Sequence, residues 1–238
     1  GSLALAHNGN LVNAHAIRKG LGSKGAIFQS TNDSEVIVHL MAQSKAETFV
    51  DRAAEALRQV SGAYSLVLMT KTELVAARDP HGFRPLCLGK LDGAYIVASE
   101  TCVMDLIEAE FIREVEPGEL ILINDQGIQS FFPFKKVETK HCVFEHIYFA
   151  RPDSFIFGEH VYTARKNMGR AMAQESPADV DLIVPVPDSG VVSAMGFAEE
   201  SGIPFEMGLI RNHYVGRTFI EPQSQIRHFG VKLKLNPV

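Results

Sequence analysis

Hydrophobic and polar positions along this chain follow one grammar up to about residue 140 and another after it. Residues 3–6 form a short apolar run, predicting a strand that meets the Asn8-Gly9 pair. Asn13 opens a helical stretch through Lys19, stopped by Gly20 and Gly22. Residues 26–29 read as a buried strand. Thr31-Asn32-Asp33-Ser34 then supplies N-cap chemistry for a helix over 35–43, with Val36, Ile37 and Leu40 on one face. A second helix is predicted over 47–60, where Phe49, Ala53, Ala56, Leu57 and Val60 make the apolar stripe. Strands follow in pairs: 63–70 with 74–78, 86–89 with 94–98, and 119–123 with 128–132, each pair joined by a short polar turn. A short helix over 101–108 interrupts them. Antiparallel strands broken by helices predict an α+β domain with stacked sheets.

The second grammar is a helix over 162–174, a continuous apolar strand over 181–186, a helix over 191–200 and a strand over 204–210. Strand, polar turn, helix and strand make a βαβ unit, the start of a parallel α/β domain. The domains are therefore placed at 1–140 and 141–238. After Asn212 no element is predicted, because Gly216, Pro222, Gln223, Ser224, Gln225 and Gly230 interrupt any period. That tail carries Arg217, Arg227, Lys232 and Lys234 and is expected to be mobile, with weak hydrogen-exchange protection over 214–227 and strong protection over 182–186.

Composition narrows the class. Hydrophobic residues at 46% and charged residues at 21% are ordinary for a globular chain of 238 residues. A formal net charge of -5 gives no basic field for nucleic acid. No apolar run approaches the roughly 20 residues that span a bilayer, and the start lacks a signal-peptide pattern. Cys87, Cys102 and Cys142 are widely spaced, with no CxxC pair, and are expected as reduced thiols in the cytoplasm. His7, His81, His146 and His213 lack ligand spacing to one another, so no zinc site is expected.

Several segments could carry chemistry, each with a plainer alternative. The amide of Asn8 and the N–H of Gly9 can donate to an oxyanion; the pair can equally be a hairpin turn. Asp33 can bind a substrate ammonium or cap a helix. Arg78-Asp79-Pro80-His81-Gly82-Phe83-Arg84-Pro85 is a site loop or a turn held by an Arg–Asp pair. Pro187-Asp188-Ser189-Gly190, with a helix start behind it, suits a phosphate or a metal-bound phosphate, or is a simple βα turn. Cys142 is a thiolate ligand or a small buried hydrophobe, as Cys87 and Cys102 are.

Taken together, Leu5-Ala6-His7-Asn8-Gly9-Asn10-Leu11, Asp33-Ser34-Glu35-Val36, Arg78 to Leu86, Tyr148 to Ser154, Pro187-Asp188-Ser189 and Tyr214 to Ile220 resemble the amidophosphoribosyltransferase family, in family order and over nearly the whole chain. The first three runs are shared with other N-terminal-nucleophile glutamine amidotransferases, such as glucosamine-6-phosphate synthase; the last three are specific to this family. The resemblance implies an N-terminal-nucleophile αββα sandwich followed by the start of an α/β phosphoribosyltransferase domain. It implies the first committed step of de novo purine biosynthesis: glutamine, PRPP and water giving phosphoribosylamine, glutamate and pyrophosphate. Asn8 and Gly9 would form the oxyanion hole and Asp33 would hold the α-amino group of glutamine. Arg217 and Thr218 would belong to a loop over the PRPP site, and Ser189 would bind magnesium with PRPP. Cys142 would be a ligand of a [4Fe–4S] cluster in members that carry one. Glutamine, PRPP and purine nucleotide feedback inhibitors are the implied partners, in a homo-oligomer.

The family's nucleophilic N-terminal cysteine has no counterpart here: residue 1 is glycine and no cysteine precedes Cys87. The chain is therefore expected to be an internal fragment without glutaminase activity. Two alternatives stand beside this reading: another N-terminal-nucleophile glutamine amidotransferase, which keeps only the first half, and, from another class, a non-catalytic nucleotide-sensing module.

Overall fold

The first apolar run reaches further than its hydrophobicity suggests. Strand β1 covers Ala4–Leu11 and pairs antiparallel with β2, Gly62–Met69, with Asn8 opposite Ser65 and Gly9 opposite Tyr64. Asn8-Gly9 is thus inside a strand, and the hairpin-turn alternative fails. The computed structural model describes residues 2–216, 218, 220 and 222–238. They divide into two units, Gly1–Glu145 with Phe155–Gly158, and His146–Ser154 with Glu159–Val238.

In the first unit, helices α1 (Ala14–Gly22), α2 (Glu35–Gln43) and α3 (Phe49–Leu57) follow β1. Apolar stripes explain them: Val36, Ile37, Leu40 and Met41 of α2 and Val50, Ala53, Ala54, Ala56 and Leu57 of α3 are buried. Thr48 caps α3 by accepting the Asp51 N–H at 3.1 Å. These helices cover one face of a five-stranded sheet, order β1-β2-β3-β7-β8, whose remaining strands are β3 (Leu74–Arg78), β7 (Leu120–Asn124) and β8 (Gly127–Phe131). A smaller sheet, order β5-β4-β6, comprises β4 (Cys87–Leu91), β5 (Ala94–Ala98) and β6 (Glu110–Glu114). Ala76, Leu86, Val115 and Ile121 pack with Val97 between the two sheets. Helix α4, Cys102–Leu106, lies against the smaller sheet, where Met104 leaves no room for a side chain at Gly89. The layers are helix, sheet, sheet, helix.

Two expectations fail here for stated reasons. Residues 26–29 are not a strand: Ile27 is exposed, Phe28 packs under Arg18 and against His39, and the Gln29 N–H goes to Glu35. Strand β6 was not anticipated, because Glu110-Phe111-Ile112-Arg113-Glu114 has a short apolar centre between charges. The Arg78–Pro85 loop is structural. Arg78, fully buried, donates to the carbonyls of Arg84, Val115 and Gly82, and Asp79 accepts the N–H groups of Tyr64, His81 and Phe83. Burial pushes the Asp79 carboxyl up, opposed by its backbone bonds and the Arg78 charge, and pushes the Arg78 guanidinium down, opposed by the charges of Glu114 and Asp79.

Glu35 gives a pH prediction. Its carboxylate accepts the Gln29 N–H at 2.7 Å, the Ser30 hydroxyl at 2.7 Å and the Ser30 N–H at 3.0 Å. These bonds, the Gln29 one foremost, pull its pKa from 4.5 to about 2. A lowered folded pKa means the contribution is complete above pH 4.5 and is lost as pH falls towards 2. The gap in melting temperature between this chain and Glu35→Gln should narrow across that window. A gap constant with pH would show that this carboxylate is not linked to folding.

The second unit contains β10 (Glu159–His160), α5 (Val161–Glu175), α6 (Val191–Ser201), β11 (Leu209–Arg211), α7 (Ser224–Lys234) and β12 (Leu235–Pro237); β9 (Phe155–Ile156) precedes them and belongs with the first. A π-helical turn, Glu145–Phe149, comes before β9. The strands expected over 181–186 and 204–210 reduce to one parallel bridge, Ile183 with Phe205, and to β11. Leu182, Val184 and Val186 remain exposed. The tail after Asn212 is more regular than expected. Helix α7 forms despite Gly230, where Thr218 comes within 3.1 Å of the missing side chain, and β12 pairs with β11, Leu209 opposite Pro237. Local breakers were outweighed by the ladder that fixes the chain beyond the helix.

Candidate functional site

Strand β1 is the edge of its sheet among the described residues, and this organises the site. Leu5 and Leu11 face the helices and His7 lies on their face. Asn8 faces the other way, and its Nδ2 donates to Ser99 Oγ at 3.2 Å, just past β5. Backbone groups alternate too. The Leu11 N–H points off the free edge, where it donates to Asp33 Oδ2 at 2.7 Å. The Gly9 N–H, two residues away, points off the same edge.

Gly9 has φ of +153°, and a Cβ there would lie 2.1 Å from the Ala63 carbonyl oxygen. Only glycine fits. Asp33 does not cap α2: Ser34 precedes the helix without a side-chain cap bond, and Asp33 reaches β1 instead. Its carboxylate is also 3.6 Å from His7 Nδ1. The structure therefore brings Asn8, Gly9 and Asp33 to one strand edge, and adds His7 and Ser99, which sequence reasoning missed. His7 had a signal, its place two residues before Gly9 on the same strand face; Ser99 had none.

In the second unit, a cavity of about 380 Å³ is lined by Asp188, Ser189, Arg211, Arg151, Arg165 and Lys234 among others. Asp188 and Ser189 occupy the turn before α6, with Gly190 at its N-cap. Arg211 pairs with Asp188, Arg151 with Asp153, and the buried Arg165 donates to the His146 and Ala150 carbonyls. Four cations and one carboxylate give an anion-binding character. Thr218 is buried against α7, and Arg217 lies outside the described residues.

Cys142 is half-buried; its N–H donates to the Phe83 carbonyl at 3.1 Å. All three cysteines are free, and burial pushes the Cys87 thiol up to about 12. No group of three or more His, Cys, Asp or Glu side chains that could hold a metal occurs among the described residues. A [4Fe–4S] cluster takes four thiolates, and these residues do not assemble such a set.

Compared with known proteins, residues 1–105 match the glutamine amidotransferase domain family. The amidophosphoribosyltransferase of Rhizobium etli is 55% identical over 98% of this chain. Over its whole length the chain is similar to amidophosphoribosyltransferases. An Arabidopsis thaliana relative, amidophosphoribosyltransferase 1, chloroplastic, is 53% identical over 100% of the chain. A solved structure of glutamine PRPP amidotransferase from B. subtilis, complexed with ADP and GMP, superposes with a TM-score of 0.91 at 49% identity. It covers 100% of this chain and 52% of that one. This chain spans about half the length of the relatives it matches, 48% and 42% of the first two. The match runs through both units, so a reading confined to the amidotransferase half does not describe it. The αββα layering of the first unit is the N-terminal-nucleophile amidotransferase fold. Among the described residues no helix is long and apolar enough to cross a membrane.

Proposed function

We propose that this chain supplies glutamine-binding and phosphate-binding parts of an amidophosphoribosyltransferase, which opens de novo purine biosynthesis by converting glutamine, PRPP and water to phosphoribosylamine, glutamate and pyrophosphate. One observation carries the glutamine half: the free edge of β1 offers an acceptor and a donor side by side. Asp33 sits on the Leu11 N–H at 2.7 Å, and the Gly9 N–H points off the same edge. Two residues of strand separate them by about 7 Å. An extended glutamine measures about 6 Å from its α-nitrogen to its amide oxygen. Its ammonium on Asp33 would therefore carry its side-chain carbonyl to Gly9, with the Asn8 amide beside it. These donors would stabilise the oxyanion that forms when the amide is attacked.

The cationic cavity of the second unit fits a ligand rich in phosphate, as PRPP is. Magnesium suits this donor set as a companion of the ligand, since it takes one or two carboxylates and fills its other positions with phosphate oxygens and water. Asp188 and Ser189 would hold it, and it would supply charge neutralisation on the pyrophosphate. The nucleotides of the B. subtilis complex suggest purine nucleotides as regulators here, and a homo-oligomer is the proposed assembly. Free thiols suit the reducing cytoplasm.

The test is Asp33→Asn in a protein of the relatives' full length that carries this sequence. Hydrogen bonds to charged groups are worth about 1.5–3 kcal/mol, so the KM for glutamine should rise roughly 10–100-fold. Synthesis from ammonia, which needs no glutamine, should hold. If both activities fall together, Asp33 is a structural tie between α2 and β1 and the reading is wrong.

A further inference from the structure

We propose that a cavity beside the C-terminal end of α3 binds a small carboxylic acid with an apolar body, Arg58 and Lys135 meeting its charge and the Tyr64 hydroxyl supplying a further donor. The cavity holds about 490 Å³, within the range of sites that enclose small organic molecules. It lies wholly within the first unit and shares no residue with either site described above. Its inner wall is apolar and buried: Leu57 from the end of α3, Val60 just beyond it, and Tyr64 of β2. Pro133 and Phe134, half-buried, complete the enclosure where the chain leaves β8. Pro133 has no N–H to offer, so this side adds no backbone donor there.

Charge selects the ligand. No Asp or Glu lines the cavity, whereas Arg58 and Lys135 both do, exposed at its rim. Among the described residues neither cation pairs with a carboxylate. The Arg58 Nε donates to the Pro133 carbonyl at 3.3 Å, which holds the guanidinium at the opening and leaves its terminal nitrogens for an anion. Tyr64 is the second, independent sign. It is 1% exposed, and its hydroxyl is buried without a hydrogen-bond partner among the described residues. Such a group is costly unless something accepts from it. Burial, with the Asp79 charge behind it, pushes the Tyr64 hydroxyl well above its ordinary value, so it keeps its proton and can donate. An apolar enclosure, two unpaired cations and an unused donor together describe an acid with a hydrophobic body.

Calorimetric titration of 4-phenylbutyrate tests this, in a protein of the relatives' full length that carries this sequence. The acid should bind about tenfold more tightly than 4-phenylbutanol, which has the same body and no charge. Butyrate, the charge without the body, should bind more weakly still. Hydrogen exchange should gain protection over 58–64 and 133–137 when 4-phenylbutyrate is added. Arg58→Gln combined with Lys135→Gln, both at exposed positions, should weaken the acid about tenfold and leave the alcohol unchanged. Tyr64→Phe should weaken the acid roughly two- to tenfold, yet raise the melting temperature of the ligand-free protein, because a buried hydroxyl without a partner is gone. Weaker binding by a more stable variant separates a lost donor from a damaged fold. Equal binding of acid and alcohol would show a hollow that makes no use of its cations, and overturns the proposal. So does a lack of binding at millimolar concentration, as when another part of the longer protein fills the cavity. A lower melting temperature for ligand-free Tyr64→Phe would mean that the hydroxyl is already bonded, and overturns its assignment as the ligand's donor.

Discussion

Asn8→Ala is expected to lower kcat for glutamine by about 10²–10³, the loss typical of one oxyanion donor. The geometry explains why the effect should fall on kcat. Asn8 directs its amide to the inter-sheet side of β1, where Ser99 Oγ at 3.2 Å takes one of its two N–H bonds. That bond fixes the amide before substrate arrives, so no reorganisation is left for the reaction itself. On the proposed reading, the second N–H meets the substrate oxygen together with the Gly9 N–H. A neutral substrate carbonyl gains little from it, and the anionic oxygen of the tetrahedral intermediate gains much more. KM should therefore change less than kcat, and ammonia-dependent synthesis should hold. Steady-state kinetics with both nitrogen sources, on a protein of the relatives' full length, gives the answer. A loss confined to KM would make Asn8 a substrate-binding group and would leave the oxyanion role to Gly9 alone.

How far the sequence spoke depended on whether a signal was local. Helix α2 was legible to the residue, because its apolar stripe and the polar run before it lie within a dozen positions. The hairpin of β2 and β3 was legible for the same reason. Asn8-Gly9 was ambiguous alone, since the pair serves turns and strands alike; only the partner strand, more than fifty residues away, decides it. Residues 26–29 and 181–186 misled in one way. Both are short apolar runs, and such a run becomes a strand only where another strand offers it a free edge. The first found helix side chains and Glu35 instead, and the second found a single bridge. At the candidate site, Asp33 was proposed by resemblance, but its hold on Leu11 and its contact with His7 are long-range facts that no spacing rule contains.

The other large effect is on stability, and it lies where α5 and α6 meet. Gly196→Ala should unfold this helix pair or loosen it strongly. A Cβ at position 196 would lie 2.0 Å from the Lys166 carbonyl oxygen, and one at Gly169 would lie 1.9 Å from that of Ser193. Both obstacles are backbone atoms of the facing helix and cannot swing aside as a side chain could. The helices must separate, breaking the packing of Val192 and Phe197, which are buried on α6. Overpacking of this kind costs typically 1–3 kcal/mol, and a backbone obstacle puts the cost at about 3 kcal/mol or above. Alanine returns about 1 kcal/mol of helix propensity, so the net remains destabilising. Gly20 in α1 is the matched control, because nothing lies within 4 Å of its missing side chain and Gly20→Ala should stabilise slightly. Hydrogen exchange read on α5 and α6 should show protection lost in Gly196→Ala and kept in Gly20→Ala. The consequence reaches the cavity, since α6 begins directly after Ser189 and Gly190. Helices that part would draw that turn away from Arg211, and phosphate binding should weaken in step with the lost protection. Full protection in Gly196→Ala would mean that the two helices can slide apart at no cost, and the close crossing would then have no part in holding the turn.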